Sequence, residues 1–163
     1  MERIRQAGVY CYANVLIDDM LVIYYDETED EVNRDLVQRL GTSPYRNYVR
    51  RPLPNDESAV YFMLLDKKER IDRFYQELQQ EGFAEILRII TYDSTDYPGY
   101  SYIKIYNKNA TKENMIDYLT SQLSIEKAIT FGTIPGAYDV YIDTEDANKV
   151  IREVRKKYEP ILK

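Results

Sequence analysis

The sequence predicts an α+β fold: a sheet with helices mainly on one face, followed by a short α/β tail. Three observations carry this. Strand-like and helix-like patterns are interleaved along the 163 residues without strict βαβ alternation. The run Ala59–Leu65 is continuously apolar, as a central strand buried on both faces would be. Ile71, Phe74, Tyr75 and Leu78 recur at i, i+3, i+4 and i+7, the spacing of a helix with one buried stripe.

The elements follow in order. Gly8–Ile17 alternates small apolar odd positions (Val9, Cys11, Ala13, Val15, Ile17) with Tyr10, Tyr12 and Asn14 at even ones. Period 2 predicts a strand with one core face and one partly wet face. Asp18-Asp19 reads as a two-residue turn, with Met20–Tyr25 as the returning arm. Thr28 and Glu31 have capping-box spacing, Val32, Leu36 and Leu40 share a helix face, and Gly41 suits the exit. Residues 42–58 hold Ser43-Pro44, Pro52, Pro54-Asn55 and Asp56, the marks of a long loop. After the apolar strand, Asp66 and Glu69 make a second capping box, and Gly82 closes the helix. Ile86–Tyr92 and Tyr100–Tyr106 read as strands joined through Tyr97-Pro98-Gly99-Tyr100, with Pro and Gly placed as a type II turn wants them. Thr111 is the expected N-cap of a helix carrying Met115, Tyr118, Leu119 and Leu123. Short strands are expected at Lys127–Phe131 and Tyr138–Ile142, broken by residues 132–136. Thr144 then caps a helix with Ala147, Val150, Ile151, Val154 and Tyr158 inward, ended by Pro160. The predicted order is β-β-α-β-α-β-β-α-β-β-α.

Composition narrows the function. With no His there is no Ser-His-Asp or Cys-His arrangement and no His ligand for zinc. The lone Cys11 cannot form an internal disulfide, which favours a reducing, cytoplasmic setting. The longest apolar run, Ala59–Leu65, is far short of the roughly 20 residues a spanning helix needs, so no membrane partner is expected. The charged start Met1–Gln6 does not read as a signal peptide. A net charge of −6 disfavours generic binding to nucleic acid. The 17 Tyr have no compositional explanation.

Ile103–Asn114, then Ile125-Glu126-Lys127, then Thr130-Phe131-Gly132, resemble the later half of type II haloacid-dehalogenase-like hydrolases. The resemblance implies that residues 1–107 are an α/β cap-like domain. Residues 108–163 would then be a partial, Rossmann-like core segment. It also implies Asp-x-Asp chemistry: an aspartyl nucleophile, a Ser or Thr on the phosphoryl group, a Lys against its developing charge, and acidic ligands for Mg²⁺. Thr111 and Lys112 match the Thr-Lys pair, as phosphate-binding residues with Lys112 also neutralising charge. No Asp-x-Asp occurs in the chain, and Thr133 stands where an acid should follow Gly132. The Asn-Asp pair expected downstream falls on Gly136 and Ala137, while Asp139 and Asp143 lie at other offsets. Mg²⁺ is therefore expected for a complete homologous enzyme and no cofactor for this chain.

Each singled-out residue also has a plainer reading. Lys112 opens a helix, where a cation opposes the dipole unless an anion is bound; otherwise it is a solvated Lys beside Glu113. Thr111 is equally an N-cap. Thr133–Gly136 reads as an anion loop or a connecting turn, and Asp139 as a displaced metal ligand or a strand-edge carboxylate. Tyr45, Arg46, Tyr48 and Arg50 form the one basic and aromatic cluster, either a substrate or partner loop or packed Tyr with solvated Arg. Tyr100, Tyr102 and Tyr106 line one strand face and Tyr10 and Tyr12 another. They form either a half-wet surface meeting a substrate or partner, or ordinary amphipathic positions.

The expected function is the cap and partial core of a phosphohydrolase. It would select a small phosphorylated substrate and shield the phosphoryl-transfer site, while lacking nucleophile and metal ligands. The partner would be a missing N-terminal core region or a second copy. The alternative is a non-catalytic ligand- or protein-binding module that uses the Tyr-rich face.

Overall fold

The computed structural model describes residues 1–158, apart from positions 43, 45, 55–57, 127, 134, 137, 144 and 145. The expectations placed on Tyr45, Lys127, Ala137, Thr144 and Pro160 lie outside the described residues. The chain divides into two compact units, Met1–Thr111 and Lys112–Lys163.

The first unit is built on a six-stranded sheet of order β3-β2-β1-β4-β6-β5. A short helix α1 (Glu2–Ala7) precedes β1 (Cys11–Ile17), β2 (Met20–Tyr25) and α2 (Glu31–Leu40). Then follow β3 (Asn47–Arg50), β4 (Ala59–Lys67) and α3 (Lys68–Gln80). A 3₁₀ turn (Phe83–Glu85), β5 (Leu87–Asp93) and β6 (Tyr100–Asn107) complete the unit. All pairings are antiparallel except β2–β3, which is parallel.

The turns work as their residues dictate. Asp18 and Asp19 both have positive φ (46° and 64°), the left-handed pair that a two-residue hairpin needs to match strand twist. Gly99 has φ 82° and the Tyr100 amide bonds to the Tyr97 carbonyl at 3.1 Å, closing the predicted turn.

The sheet has two distinct faces. Ile71, Phe74 and Leu78 of α3 pack with Ile4 of α1 onto Leu64, Ile103 and Ile105. Burying each of those three α3 side chains is worth about 2 kcal/mol. On the opposite face, Leu36 of α2 packs on Tyr12, Ile23 and Leu65. Two helices thus cover one face and a third covers part of the other.

Several local expectations are corrected. The N-terminal residues form α1, and Ile4 is its buried anchor. The first strand begins at Cys11 rather than Gly8, and it has no wet face through its middle: Tyr12, Ala13, Asn14 and Val15 are all buried. Tyr12 packs with Leu36 of α2 on one face, and Ala13 and Val15 pack with Val22, Tyr24 and Leu53 on the other. The α2 cap is Asp30, whose carboxylate accepts from the Asn33 amide at 2.9 Å, while Thr28 Oγ1 accepts from the Asp30 amide. Gly41 stays right-handed at φ −65°. Residues 42–58 are not all loop, because β3 adds to the sheet edge beside β2. Lys67 precedes α3 with no side-chain cap; the Asp66 carboxylate instead accepts from the Lys67 amide and pairs with Arg70 at 3.2 Å.

The second unit contains α4 (Lys112–Gln122), a parallel strand pair β7 (Phe131–Gly132) and β8 (Val140–Tyr141), and α5 (Ala147–Tyr158). Met115, Tyr118, Leu119 and Leu123, the apolar positions noted for this helix, are all exposed, and so is Ile151, which was expected to face inward. Ile142 is the buried apolar residue described in this unit. Asp146 supplies the cap at α5: its carboxylate accepts from the Asn148 amide at 2.9 Å.

Candidate functional site

The face carrying α2 is where tyrosines collect. β6 alternates Ser101, Ile103 and Ile105, all buried, with half-buried Tyr100, Tyr102, Lys104 and Tyr106. Register carries the second set across the sheet. Tyr61 pairs with Tyr106, Met63 with Lys104, and Leu65 with Tyr102 on β4. Arg88, Ile90 and Tyr92 of β5 oppose Tyr106, Lys104 and Tyr102. Because β4 also pairs Met63 with Tyr12, the tyrosines of β1 and β6 share one face.

Two stacked ring pairs result. Tyr61 and Tyr106 lie 5.2 Å apart at 24°, and Tyr92 and Tyr102 lie 5.1 Å apart at 22°. Lys104 sits between Tyr102 and Tyr106 along β6, and its Nζ lies 5.2 Å from the Tyr92 ring centre. Burial pulls the Lys104 ammonium down. Its contacts with Tyr92, and the nearby Tyr106 and Tyr61, outweigh burial and hold it above its ordinary value. Lys104 is therefore charged at neutral pH. Burial raises the Tyr48 and Tyr61 hydroxyls, and Arg46, hydrogen-bonded to Tyr48, opposes the rise at both. Lys104 likewise opposes the rise at Tyr61.

One end of this face is locked by a polar network. The Tyr12 hydroxyl donates to Asn33 Oδ1 at 2.9 Å, and Asn33 Nδ2 donates to Asp30 at 2.8 Å and to the Leu65 carbonyl at 3.2 Å. The Tyr100 hydroxyl donates to the other Asp30 oxygen at 2.7 Å. That contact first, then burial, pushes the Tyr100 hydroxyl up to about 12. Tyr100 is thus a structural anchor, whereas Tyr61, Tyr92, Lys104 and Tyr106 lie outside the cluster packed under α2.

The remaining predicted residues are placed as follows. Tyr48 is half-buried on β3, 6.2 Å ring to ring from Tyr25. Arg50, exposed, pairs with Glu27 at 3.3 Å. Tyr10 donates to the Asp26 carbonyl and stands edge-on to Tyr12. Thr111 is half-buried just before α4. Lys112 is the first residue of α4, and its Nζ lies 3.9 Å from the Tyr138 ring centre. Tyr138 also fills the space a side chain at Gly132 would take. Asp139 accepts from the Thr130 amide and hydroxyl at 2.8 and 2.7 Å, and its own amide donates back to Thr130 Oγ1. This bridge holds β7 beside β8, a structural use of the carboxylate. Among the described residues no three His, Cys, Asp or Glu side chains converge as metal ligands. Nor is any described helix long and apolar enough to cross a membrane.

Lys104 was visible in the sequence only as the break in a Tyr-Tyr-Lys-Tyr alternation. Its significance depends on pairing with β4 and β5, which alternation within one strand does not reveal.

The chain is similar to solved structures at low identity. A haloacid dehalogenase-like hydrolase from Bacteroides thetaiotaomicron matches with TM-score 0.50 and 14% identity, over 80% of this chain and 46% of that one. A Streptococcus mutans UA159 protein matches at 0.45 and 18%, over 75% and 43%. A third structure, described as showing a trigonal-bipyramidal intermediate in a phosphoryl-transfer superfamily, matches at 0.43 and 13%, over 77% and 41%. The chain spans less than half the length of each. A search of curated proteins returns no match. The model of the haloacid dehalogenase-like hydrolases matches residues 1–133, taking in the whole sheet with its Tyr-rich face and the Thr-Lys opening of α4, and the chain belongs to that family.

Proposed function

We propose that residues 1–107 act as the cap of a cytoplasmic haloacid dehalogenase-like phosphohydrolase, with residues 108–163 contributing a partial core. The observation that carries this reading is the Tyr-rich face of the first unit. It presents rings, hydroxyls and the Lys104 ammonium, groups suited to holding the leaving group of a small phosphorylated substrate. The chain contains no Asp-x-Asp, so the aspartyl nucleophile and the Mg²⁺ ligands come from polypeptide outside it. Thr111 and Lys112 are the proposed phosphoryl contacts, by their match to the family's Thr-Lys pair.

The test is a Mg²⁺-dependent p-nitrophenyl phosphate assay on this chain, beside a titration with glucose 6-phosphate followed by NMR. We expect no turnover, and shifts confined to Tyr61, Tyr92, Tyr102, Lys104 and Tyr106. Turnover abolished by Lys112→Ala would show that the active site is complete here and wrongly assigned. A non-catalytic protein-binding module would instead show concentration-dependent self-association weakened by Tyr102→Ser.

A further inference from the structure

Within the second unit, Lys112 and Tyr138 meet. Lys112 opens α4 half-buried, and its Nζ lies 3.9 Å from the centre of the Tyr138 ring. At that separation the ammonium rests on the ring, whose π-electrons attract a cation. Tyr138 is held there from two sides. Its ring lies against Gly132 of β7, in space that a larger residue at 132 would need. The next residue, Asp139, is fastened to Thr130 by hydrogen bonds of 2.8, 2.7 and 3.1 Å, which fix the backbone from which the ring projects. The ring thus has a seat on Gly132 and a cation on its face. An anion reaching Lys112 from that side needs an oxygen within about 2.9 Å of the ammonium, a place the ring takes up. A ring face is also the negative part of the aromatic quadrupole and repels an anion. Ring contact and anion binding on this side of Lys112 therefore exclude each other.

We propose that Tyr138 is an autoinhibitory plug: seated on Gly132 and Lys112, its ring withholds Lys112 from phosphate, which binds only when the ring swings out. This inference rests on the reading of Lys112 as a phosphoryl contact and adds the regulation of that contact. The apparent affinity for phosphate is reduced by the fraction of molecules in which the ring is out. A cation–π contact of ordinary strength leaves about one molecule in ten open. The ring does this work and the Tyr138 hydroxyl does not, so a phenylalanine at this position plugs equally well.

The experiment adds inorganic phosphate to the full chain, reading affinity by calorimetry and the Lys112 ε-CH₂ signal by NMR. In the parent that signal should lie upfield of the other lysines, because it sits over a ring face. Phosphate should bind weakly and carry the signal downfield as the ring leaves. Tyr138→Leu should place the signal among the other lysines from the start and bind phosphate about tenfold more tightly. Adding Lys112→Gln should abolish that gain, and Tyr138→Phe should behave as the parent. Phosphate that reaches Lys112 with equal affinity in the parent and in Tyr138→Leu overturns the inference and leaves Lys112 as a phosphoryl contact. So does a parent in which phosphate binds at Lys112 while the upfield shift persists, a result that needs no variant to fold. Failure of phosphate to move the Lys112 signal in the parent and in Tyr138→Leu alike overturns both readings.

Discussion

Asn33 holds together three elements of the first unit, and removing its side chain is the sharpest probe of how the Tyr face is fixed. It is 1% exposed, on α2, and its amide group bonds to Tyr12 of β1, to Asp30 of the helix cap, and to the Leu65 carbonyl of β4. In Asn33→Ala the Tyr12 hydroxyl, itself 0% exposed, keeps only a long 3.3 Å contact to the Asn33 carbonyl. The Leu65 carbonyl loses one donor, and Asp30 loses one of its hydrogen bonds. Each buried group left wanting costs about 1–3 kcal/mol. With two such groups and one weakened charged acceptor, the expected loss is about 3 kcal/mol. For a domain of this size the urea slope is about 2 kcal/mol/M, so the midpoint should fall by about 1.5 M. Urea denaturation followed by far-ultraviolet circular dichroism measures this. Tyr12→Phe alone should cost about 1 kcal/mol, and the double variant should recover about 1 kcal/mol relative to the sum, because both changes break one shared bond. A fall below 0.5 M in Asn33→Ala, or strict additivity, would refute the reasoning by showing that the network carries no buried demand.

Two further outcomes follow from the same geometry. The Asp30 carboxyl sits below its ordinary 3.8: burial works to raise it, but bonds from Tyr100 and Asn33 outweigh burial. A depressed carboxylate contributes stability that is present above its unfolded pKa and is lost as pH falls through the folded one. Urea midpoints should therefore drop more steeply below pH 4 in the parent than in Asp30→Asn, and parallel profiles would exclude Asp30 as a source of acid sensitivity. In the second unit, Gly132→Ala places a methyl group where the Tyr138 ring lies. Overpacking of this kind costs about 1–3 kcal/mol, so limited trypsin digestion should cut within 112–158 faster than in the parent, and unchanged cleavage would mean that the ring moves aside freely.

Legibility in the sequence tracked how local each cause was. The Asp18-Asp19 hairpin and the Pro98-Gly99 turn were readable because their requirement, positive φ, belongs to single residues. The α3 stripe was readable because three of its members, Ile71, Phe74 and Leu78, meet one continuous core. By contrast, α1 is six residues with one buried side chain, too short for periodicity to register. The strand β3 is four residues among turn formers, and only its pairing with β2 makes it a strand. The apolar spacing in α4 was real, yet spacing says where a stripe lies and not what covers it; Met115, Tyr118, Leu119 and Leu123 are exposed. At the candidate site, Tyr100, Tyr102, Tyr106, Tyr48 and Arg46 were named from strand alternation and local clustering. The centre of the site, Lys104, emerged only from register across three strands.

The strand order has a consequence for how the sheet assembles. The β1–β2 ribbon closes through two residues, and β5–β6 closes through six, from Ser94 to Gly99. Both are cheap to form. The strand β4 joins them, and its pairing of Cys11 with Leu64 closes a loop of roughly fifty residues, the larger entropic step. The two ribbons can thus form independently, while the Tyr face exists only after β4 has zipped them together, which places that surface among the last parts of the first unit to mature.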